Sequence, residues 1–461
     1  MTEPIRDRLV SLRRSLHRHP EPAWREFTTT AQLVEEIQSI GVDELAVGPD
    51  AYDPADRMAV PEGDLEPWIE GARERGADPA LLESMAGGNT GAIAVLERGV
   101  GPTIGLRVDI DGLFIEESTS EDHEPAAEGF RSEIDGTMHA CGHDVHMTWG
   151  LAVLEAIAES GDFSGRLVVF FQPAEEVSGG GCPMAKSEFA DDLDYLLAVH
   201  VGLDHPTGEV VAGIEKPLAM CHVDATIHGT SAHAGKEPNE GDNAMHAMGT
   251  AIGNAYGIPR HRDGMTRVNV GYAEAGSASN VIAERAHMEA EARGETTELM
   301  EYMKDRLERA VESAATMHGC RADVEVVSES PRADSDPELQ ALLSEVATDV
   351  PGTESVVPAA DFGASEDATF LMERVQREGG LATYLIVGTD HPTNHHTPTF
   401  DVDEASLAHG VDVLVETIRE LERRHPVPQV DETEGGRERN EPEGNERNGN
   451  ERNRSEREDE R

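Results

Sequence analysis

Apolar residues near the start of the chain follow the spacing of two amphipathic helices. Leu9, Leu12 and Leu16 lie three or four residues apart, and Pro20 ends this first segment. A second segment begins near Phe27 and keeps the helical spacing as far as Ile40. The pattern therefore predicts two helices, each packing by one face, ahead of the first strand.

Short apolar runs then alternate with helical segments. The pattern predicts strands at 92–96, 103–108, 167–171 and 195–199, and a helix at 145–160. This alternation is typical of an α/β sheet with helices on its faces, in which ligands gather at the carboxyl ends of strands.

A second module follows, in which the predicted elements have the order βαββαβ of a ferredoxin-like unit. Because αβ material resumes at Pro337, the module is an insertion. We expect an α/β fold with a central mixed sheet, flanking helices and an inserted ferredoxin-like α+β domain. The predicted bounds are 1–218 and 331–425 for the two parts of the main domain, 219–330 for the insert, and 426–461 for a disordered mixed-charge tail.

The chain is strongly acidic, with 38 Lys and Arg against 91 Asp and Glu in 461 residues and a net charge of −53. Such a charge repels nucleic acid and anionic membranes and argues against both as partners. Acidic residues are spread along the whole chain, which predicts a halophilic protein; full stability in dilute buffer would count against this.

The four scattered cysteines form no disulfide framework, and no apolar run suggests a membrane helix or signal peptide, which predicts a cytoplasmic location.

The chemically richest stretch is MHACGHDVHMT, residues 138–148. It holds His139, Cys141, His143, Asp144 and His146 within eleven residues. Imidazole and thiolate are the donors that a borderline-soft divalent ion prefers, so the stretch predicts metal binding.

Three further segments offer partners for this stretch. FQPAEE ends a buried strand with Glu175 and Glu176, one of which can bind a metal while the other acts as a general base. His200 directly follows another predicted strand, and His395 and His396 lie in a late loop. With one of the two late histidines, these donors suffice for two metal ions and a hydrolase of the two-metal type.

In chain order, nine blocks of the sequence resemble those of the M20 metallopeptidase/amidohydrolase family. They are HRHPEPAWRE, LRVDIDGL, MHACGHDVHMT, FQPAEE, AVHVG, GTSAHAG, NVI, GASEDAT and HHTPTFDVDE. The resemblance covers about residues 5–424 and is to the branch with Cys in the first metal motif. Within that branch, RMAVPEGDLEPWIEGARERGA, TSAHAGKEPNEGDNAM and RVNVGYAEAGSASNVI are most similar to the p-aminobenzoyl-glutamate hydrolase subgroup.

The resemblance implies a zinc-exopeptidase-like main domain, an insert that serves dimerisation and as a lid, and two divalent ions, Mn²⁺ or Zn²⁺. It implies hydrolysis of p-aminobenzoyl-glutamate to p-aminobenzoate and glutamate, by a homodimer or by a heteromer with a related subunit. Glu175 would be the general base, and Asp109 and Asp111 would lie beneath the metals. The implied metal ligands are Cys141, His143, Glu176, His200 and His396.

The insert carries the remaining implied residues. His233 would stabilise the oxyanion from the partner subunit, and Asn280 would bind substrate. Arg293 ends a predicted strand and could either bind a substrate carboxylate or form a structural ion pair. The subgroup tends to have a basic residue where Ser279 stands here, which leaves Lys236 and Arg293 as the cations for a substrate carboxylate.

Three alternatives remain open from the sequence. The substrate could be another N-acyl or N-aroyl amino acid, such as a hippurate-type or indole-acyl conjugate. Cys141 could act as a nucleophile with His143 or His146 as its base, and such an enzyme would survive chelation. The chain could also be a non-catalytic metal-binding subunit, although every implied ligand and Glu175 are present.

Overall fold

Every apolar run that the sequence marks as a strand lies in a β-sheet. The computed structural model describes residues 3–391 and 393–425, and the predicted tail lies outside these ranges. The strands are β1 Glu44–Val47, β2 Ala92–Glu97, β3 Thr103–Asp109, β4 Arg166–Gln172, β5 Tyr195–Val201, β6 Glu209–Val211, β7 Ile214–Glu215, β8 Ala219–His228, β9 Thr266–Ala275, β10 Arg285–Gly294, β11 Arg321–Ser330, β12 Ser355–Val357, β13 Ala360–Asp361 and β14 Leu381–Val387.

The helices include both N-terminal helices that the apolar spacing predicts. They are α1 Glu3–His17, α2 Phe27–Ile40, α3 Glu66–Glu74, α4 Pro79–Ser84, α5 Glu124–Ala127, α6 His143–Ser160, α7 Gly181–Lys186, α8 Ala244–Tyr256, α9 Thr297–Met317, α10 Pro337–Asp349, α11 Thr369–Glu378 and α12 Ala405–Arg424. Within the described ranges, no helix combines the length and the apolar character that crossing a bilayer requires.

The central sheet has eight strands in the order β1-β2-β4-β3-β5-β14-β6-β12. Strands β4, β3, β5 and β14 are parallel neighbours, whereas β1–β2, β2–β4 and β14–β6 are antiparallel pairs. The predicted mixed sheet is therefore confirmed. The carboxyl ends of the four parallel strands meet at one edge, which is where ligand sites form in such sheets.

Alternate side chains of the central strands enter two hydrophobic cores, one on each face. In β2, Ala92, Ala94 and Leu96 join the core built with α1, α2, α6, α10 and α12, while Ile93 and Val95 join the core built with α7 and α11. Because both faces are covered by helices, these strands read as continuous apolar runs.

Strands β8 to β11 form a separate antiparallel sheet in the order β11-β8-β10-β9. Helices α8 and α9 cover one face of it and form a third core. The order βαββαβ confirms the predicted ferredoxin-like unit. The described residues pack as one compact unit, and the predicted domain bounds stay a prediction.

Helix α1 is joined to the start of α6 by buried charges. The Arg13 Nε atom lies 2.6 Å from a carboxylate oxygen of Asp144, and another of its nitrogens lies 2.7 Å from Asp401. One turn later, the His17 ring contacts Asp144 at 2.8 Å and Glu117 at 3.0 Å. A buried charge that loses its partner costs several kcal/mol, so this network fixes the first turn of α6 against α1.

Candidate metal centre

A glycine with positive φ places the first histidine at the start of α6. Gly142 has φ +88°, and a Cβ atom there would lie 2.4 Å from a methyl carbon of Val201. Only glycine fits both the conformation and the close approach to β5. The helix therefore begins at His143, two residues before the predicted start, and Cys141 and His143 lie on either side of this turn.

Strand β5 carries His200 as its second-last residue, so the expectation that His200 directly follows the strand is wrong. The predicted strand stops at residue 199, but hydrogen bonding to β14 continues through Val201. The His200 Nδ1 atom lies 2.8 Å from the carbonyl oxygen of Val201, which makes Nδ1 the protonated nitrogen. The other ring nitrogen, Nε2, lies 3.5 Å from the sulfur of Cys141 and is free to bind a metal.

Glu175 and Glu176 lie on a 3₁₀ turn directly after β4. The residues on either side, Ala174 and Ser178, have φ values of +56° and +52°. Non-glycine residues are uncommon in this region, and such strained positions concentrate at functional sites. The late loop shows the same feature, because His396 has φ +62°.

The five side chains that the resemblance implies as metal ligands converge on one place. Cys141, His143 and His200 form one group of donor atoms within 4.8 Å of one another, and Cys141, Glu176 and His396 form a second. Cys141 belongs to both groups. Its thiolate is therefore placed to serve two ions at once. His143 and Glu176 also form a group with Glu175.

Two buried atoms in this cluster lack a hydrogen-bond partner. They are His143 Nε2 and Glu176 Oε1, which lie 3.8 Å apart, too far for a hydrogen bond between them. An unpaired buried polar atom is costly, and bound cations would satisfy both of these atoms. The donor set of thiolate, imidazoles and carboxylate suits Zn²⁺ or Mn²⁺.

The pKa values of these groups also indicate that an added positive charge would stabilise the cluster. Burial and the nearby carboxylates raise the pKa of the Cys141 thiol well above its usual range. Burial raises the pKa of Glu176 to about 8. Against the effect of burial, Asp109 and Asp111 raise the pKa of His143 to about 10. Without an ion the cluster thus holds protons where a divalent cation would offset the same negative charge.

Asp109 and Asp111 contact the cluster from behind, on the side away from solvent. Asp111 lies 3.2 Å from His143 Nδ1 through one oxygen and accepts the Glu176 N–H at 3.0 Å through the other. Asp109 contacts the His146 ring at Nδ1, and His146 Nε2 accepts the Val201 N–H at 2.8 Å. Both nitrogens of His146 are thus engaged, which removes it as a base for Cys141.

Two carboxylates that sequence reasoning missed lie beside Glu175. Glu366 and Asp367 have oxygens within 4.8 Å of a Glu175 oxygen, and both are buried. Arg107 in β3 binds Asp109 at 2.8 Å, Asp367 at 3.0 Å and Glu366 at 3.1 Å. An arginine inside an otherwise apolar strand must have buried acidic partners, so the sequence did contain a signal for them.

Of the two late histidines, His396 is the one that reaches the cluster. Its Nε2 atom lies 3.4 Å from Glu176, and its main-chain N–H donates to the carbonyl oxygen of Ala140 at 2.8 Å. His395 instead stacks against Phe400 and lies 3.3 Å from the carbonyl oxygen of Val201.

The three implied residues of the insert lie apart from this cluster in their described contacts. His233 is exposed and forms a bridge with Val281, and the N–H of Ala234 donates to the carbonyl oxygen of Asn280. Arg293 forms two hydrogen bonds with Glu291, at 2.7 and 2.8 Å. His233 and Asn280 are thus brought together, whereas Arg293 already has a carboxylate partner.

The chain is similar to several known proteins over most of its length. Residues 105–420 match the profile of "Peptidase family M20/M25/M40". The chain is 38% identical over 425 residues to indole-3-acetyl-aspartic acid hydrolase of Enterobacter agglomerans, which spans 90% of this chain and 97% of that protein. It is 37% identical over 415 residues to one subunit of the p-aminobenzoyl-glutamate hydrolase of Escherichia coli (strain K12), which spans 89% and 95%.

A solved structure shares the same fold. The crystal structure of an aminobenzoyl-glutamate utilization protein from Klebsiella pneumoniae superposes with a TM-score of 0.77 at 32% identity. The match covers 90% of this chain and 95% of that chain.

Metal uptake by this cluster is predicted to release protons. Cys141, His143 and Glu176 hold protons in the metal-free protein because their pKa values are raised, and an ion must displace those protons. The affinity for Zn²⁺ should therefore rise as the pH increases from about 6 to about 8. Titration calorimetry in buffers of different ionisation enthalpy measures the protons released.

Two Glu→Gln variants, one inside the cluster and one on the surface, provide the comparison. Glu176→Gln should lower both the affinity and the number of protons released, while the exposed Glu312→Gln should change neither. Equal affinity at both pH values, with no proton release, would contradict this description of the cluster.

Proposed function

Because the chain belongs to peptidase family M20/M25/M40 and is a metal-dependent amide hydrolase, we propose that it hydrolyses p-aminobenzoyl-glutamate to p-aminobenzoate and glutamate. The observation that carries the proposal is the pair of donor groups that share Cys141. Glu175 lies within reach of both, at the end of a parallel strand. The site therefore brings a carboxylate base to the place where two ions would bind.

In this proposal five side chains hold two divalent ions, Mn²⁺ or Zn²⁺: Cys141, His143, Glu176, His200 and His396. Ions of this kind polarise an amide carbonyl and lower the pKa of water toward neutrality. The protein fixes the position of each ligand from behind. Asp111 holds both the His143 ring and the Glu176 main chain, and the Val201 carbonyl fixes the His200 ring.

Glu175 is the proposed proton carrier of the reaction. Burial and the charge of Glu366 raise the pKa of Glu175 well above its usual range. A carboxylate with a raised pKa accepts a proton from the attacking water and returns it to the leaving amine nitrogen more readily. Arg107 and the Tyr384 hydroxyl, which donates to Glu366 at 2.7 Å, keep Glu366 in place beside Glu175.

The proposed substrate class is supported by two relatives that differ in substrate. The names of the relatives at 38% and 37% identity describe an indole-3-acetyl aspartate and a p-aminobenzoyl glutamate. Both are amides between an aromatic acyl group and an acidic amino acid. An indole-acyl amino acid is therefore the second candidate, and it would be cleaved by the same site.

We further propose that His233 acts on the site of a partner subunit. The described contacts of His233 and Asn280 are with each other's segments, and both lie on the exposed side of the insert. An imidazole donor directed at a developing oxyanion lowers the barrier by several kcal/mol. Such a role requires a dimer, formed either by two copies of this chain or with a related subunit.

The substrate proposal is tested by product release. In molar salt with Mn²⁺ or Zn²⁺, the enzyme should release p-aminobenzoate from p-aminobenzoyl-glutamate faster than it cleaves acetyl amino acids. Glu175→Gln should lower kcat by about 10²–10⁴-fold with unchanged metal content, because it removes the proton carrier. Glu312→Gln, an exposed change of the same kind, should leave kcat unaltered.

Two results would overturn this proposal in different ways. Faster cleavage of an indole-acyl amino acid would keep the chemistry and move the substrate to the second candidate. Undiminished activity after chelation would instead favour Cys141 as a nucleophile.

The partner-subunit role of His233 predicts complementation. His233→Ala and Glu175→Gln should each be inactive alone, but a mixed dimer has one site with both residues intact. After subunit exchange, activity should return to about one quarter of the wild-type value, since half of the dimers are mixed. Continued inactivity, with mixed dimers demonstrated by native mass spectrometry, would show that His233 does not act across an interface.

A further inference from the structure

An exposed aromatic ring and a half-buried arginine lie together in the loops that lead to the metal centre. Phe114 is 63% exposed, an unusual state for a large apolar side chain. The guanidinium carbon of Arg25 lies 5.2 Å from the centroid of its ring. On another side, the Trp68 ring meets Phe114 edge-on, with centroids 6.4 Å apart.

Two short chain segments connect this pair to the catalytic turn. Asp111 accepts the Glu176 N–H at 3.0 Å, and Phe114 follows three residues later, within about 10 Å along the chain. Glu26 accepts the Ala174 N–H at 2.9 Å, and Arg25 is its immediate neighbour. Both residues therefore lie close in the chain to residues that bind the turn carrying Glu175.

Arg25 lacks the acidic partner that buried arginines of this chain have. Arg13 and Arg107 are each bound to two or more carboxylates. Within residues 3–391 and 393–425, the side chain of Arg25 forms no salt bridge, and its hydrogen bond goes to the carbonyl oxygen of Ala23 at 2.9 Å. In a chain with 91 acidic residues, a half-buried arginine that lies over an aromatic ring and forms no salt bridge among the described residues is available for a ligand.

We propose that Phe114 and Arg25 form the subsite for the aromatic acyl group of the substrate. This inference rests on the proposed function and names the residues that set its acyl specificity. The acyl ring would lie against the exposed Phe114 ring and the flat guanidinium group. Aromatic pairs and cation–π contacts both favour an electron-rich ring, such as an aminobenzoyl or an indole group.

The subsite also involves an acidic insertion at residues 50–88, the segment between β1 and β2 that contains α3 and α4. Helix α3 of this insertion carries Trp68, which is partly buried against Phe27, Ala72 and Met85. Trp68 is thereby fixed and in turn limits the positions open to the Phe114 ring. The insertion thus contributes to substrate choice through an edge contact and not through a ligand of its own.

The test compares an aromatic with an aliphatic acyl group on the same amino acid. For Phe114→Leu, the ratio of kcat/KM for p-aminobenzoyl-glutamate to that for acetyl-glutamate should fall about ten-fold, because leucine keeps the apolar volume but not the ring. Arg25→Lys keeps the charge without the flat face and should lower the same ratio. Val100→Ala, which alters an exposed apolar side chain elsewhere, should leave the ratio at its wild-type value.

Binding measured in the Glu175→Gln background separates this inference from the proposed function. Even if the wild-type enzyme cleaves neither compound, calorimetry can measure the binding of p-aminobenzoyl-glutamate and of acetyl-glutamate. Phe114→Leu should weaken the binding of p-aminobenzoyl-glutamate about ten-fold more than the binding of acetyl-glutamate. Equal weakening of both compounds by Arg25→Lys would mean that Arg25 binds the shared carboxylates. That result, or a ratio unchanged in Phe114→Leu, would overturn the proposal.

Discussion

A buried excess of negative charge is the constraint on which the site depends. Glu175, Glu176, Asp109 and the Cys141 thiol converge at one edge of the central sheet. Burial, and then the neighbouring carboxylates, raise the pKa of Glu176 and of the thiol. Within the described residues, Arg107 supplies a fixed positive charge on the inner side, through contacts with three carboxylates. Divalent ions are the natural counter-charge on the outer side, where His143 Nε2 and Glu176 Oε1 lack partners. The fold thus supplies positive charge to the inner side of the cluster through Arg107, and bound metal ions would supply it to the outer side.

Buried charges are also paired in the helices that surround the site. Arg13 and His17 hold Asp144 from α1, so the helix that begins with His143 is fixed by buried ion pairs as well as by apolar packing. Removing one partner of such a pair costs about 3–5 kcal/mol, because the other charge stays buried. The proposed metal ligands and the residues that hold them therefore come from segments far apart in the chain.

The sequence predicts the fold class, and it points to donor side chains that the structure brings together, because both leave dense local signals. Thiol and imidazole donors cluster around Cys141, and the central strands are continuous apolar runs. What it missed lacks a dense local signal: the short strands β6, β7, β12 and β13 depend on pairing partners, and Glu366 was indicated indirectly, by Arg107 in β3. The predicted strand that ends before His200 was too short because pairing with β14, and not apolar pattern, sets the end of β5. The predictions of a halophilic protein and a cytoplasmic location rest on composition alone and stay predictions.

The central claim is that Cys141 serves two ions at once. It is tested most directly by anomalous diffraction from crystals grown with Zn²⁺ or Mn²⁺. Two anomalous peaks, both in contact with the Cys141 sulfur and divided between the two donor groups that contain His143 and Glu176, are the predicted result. A single peak, or peaks that leave Cys141 without a metal contact, would contradict the claim.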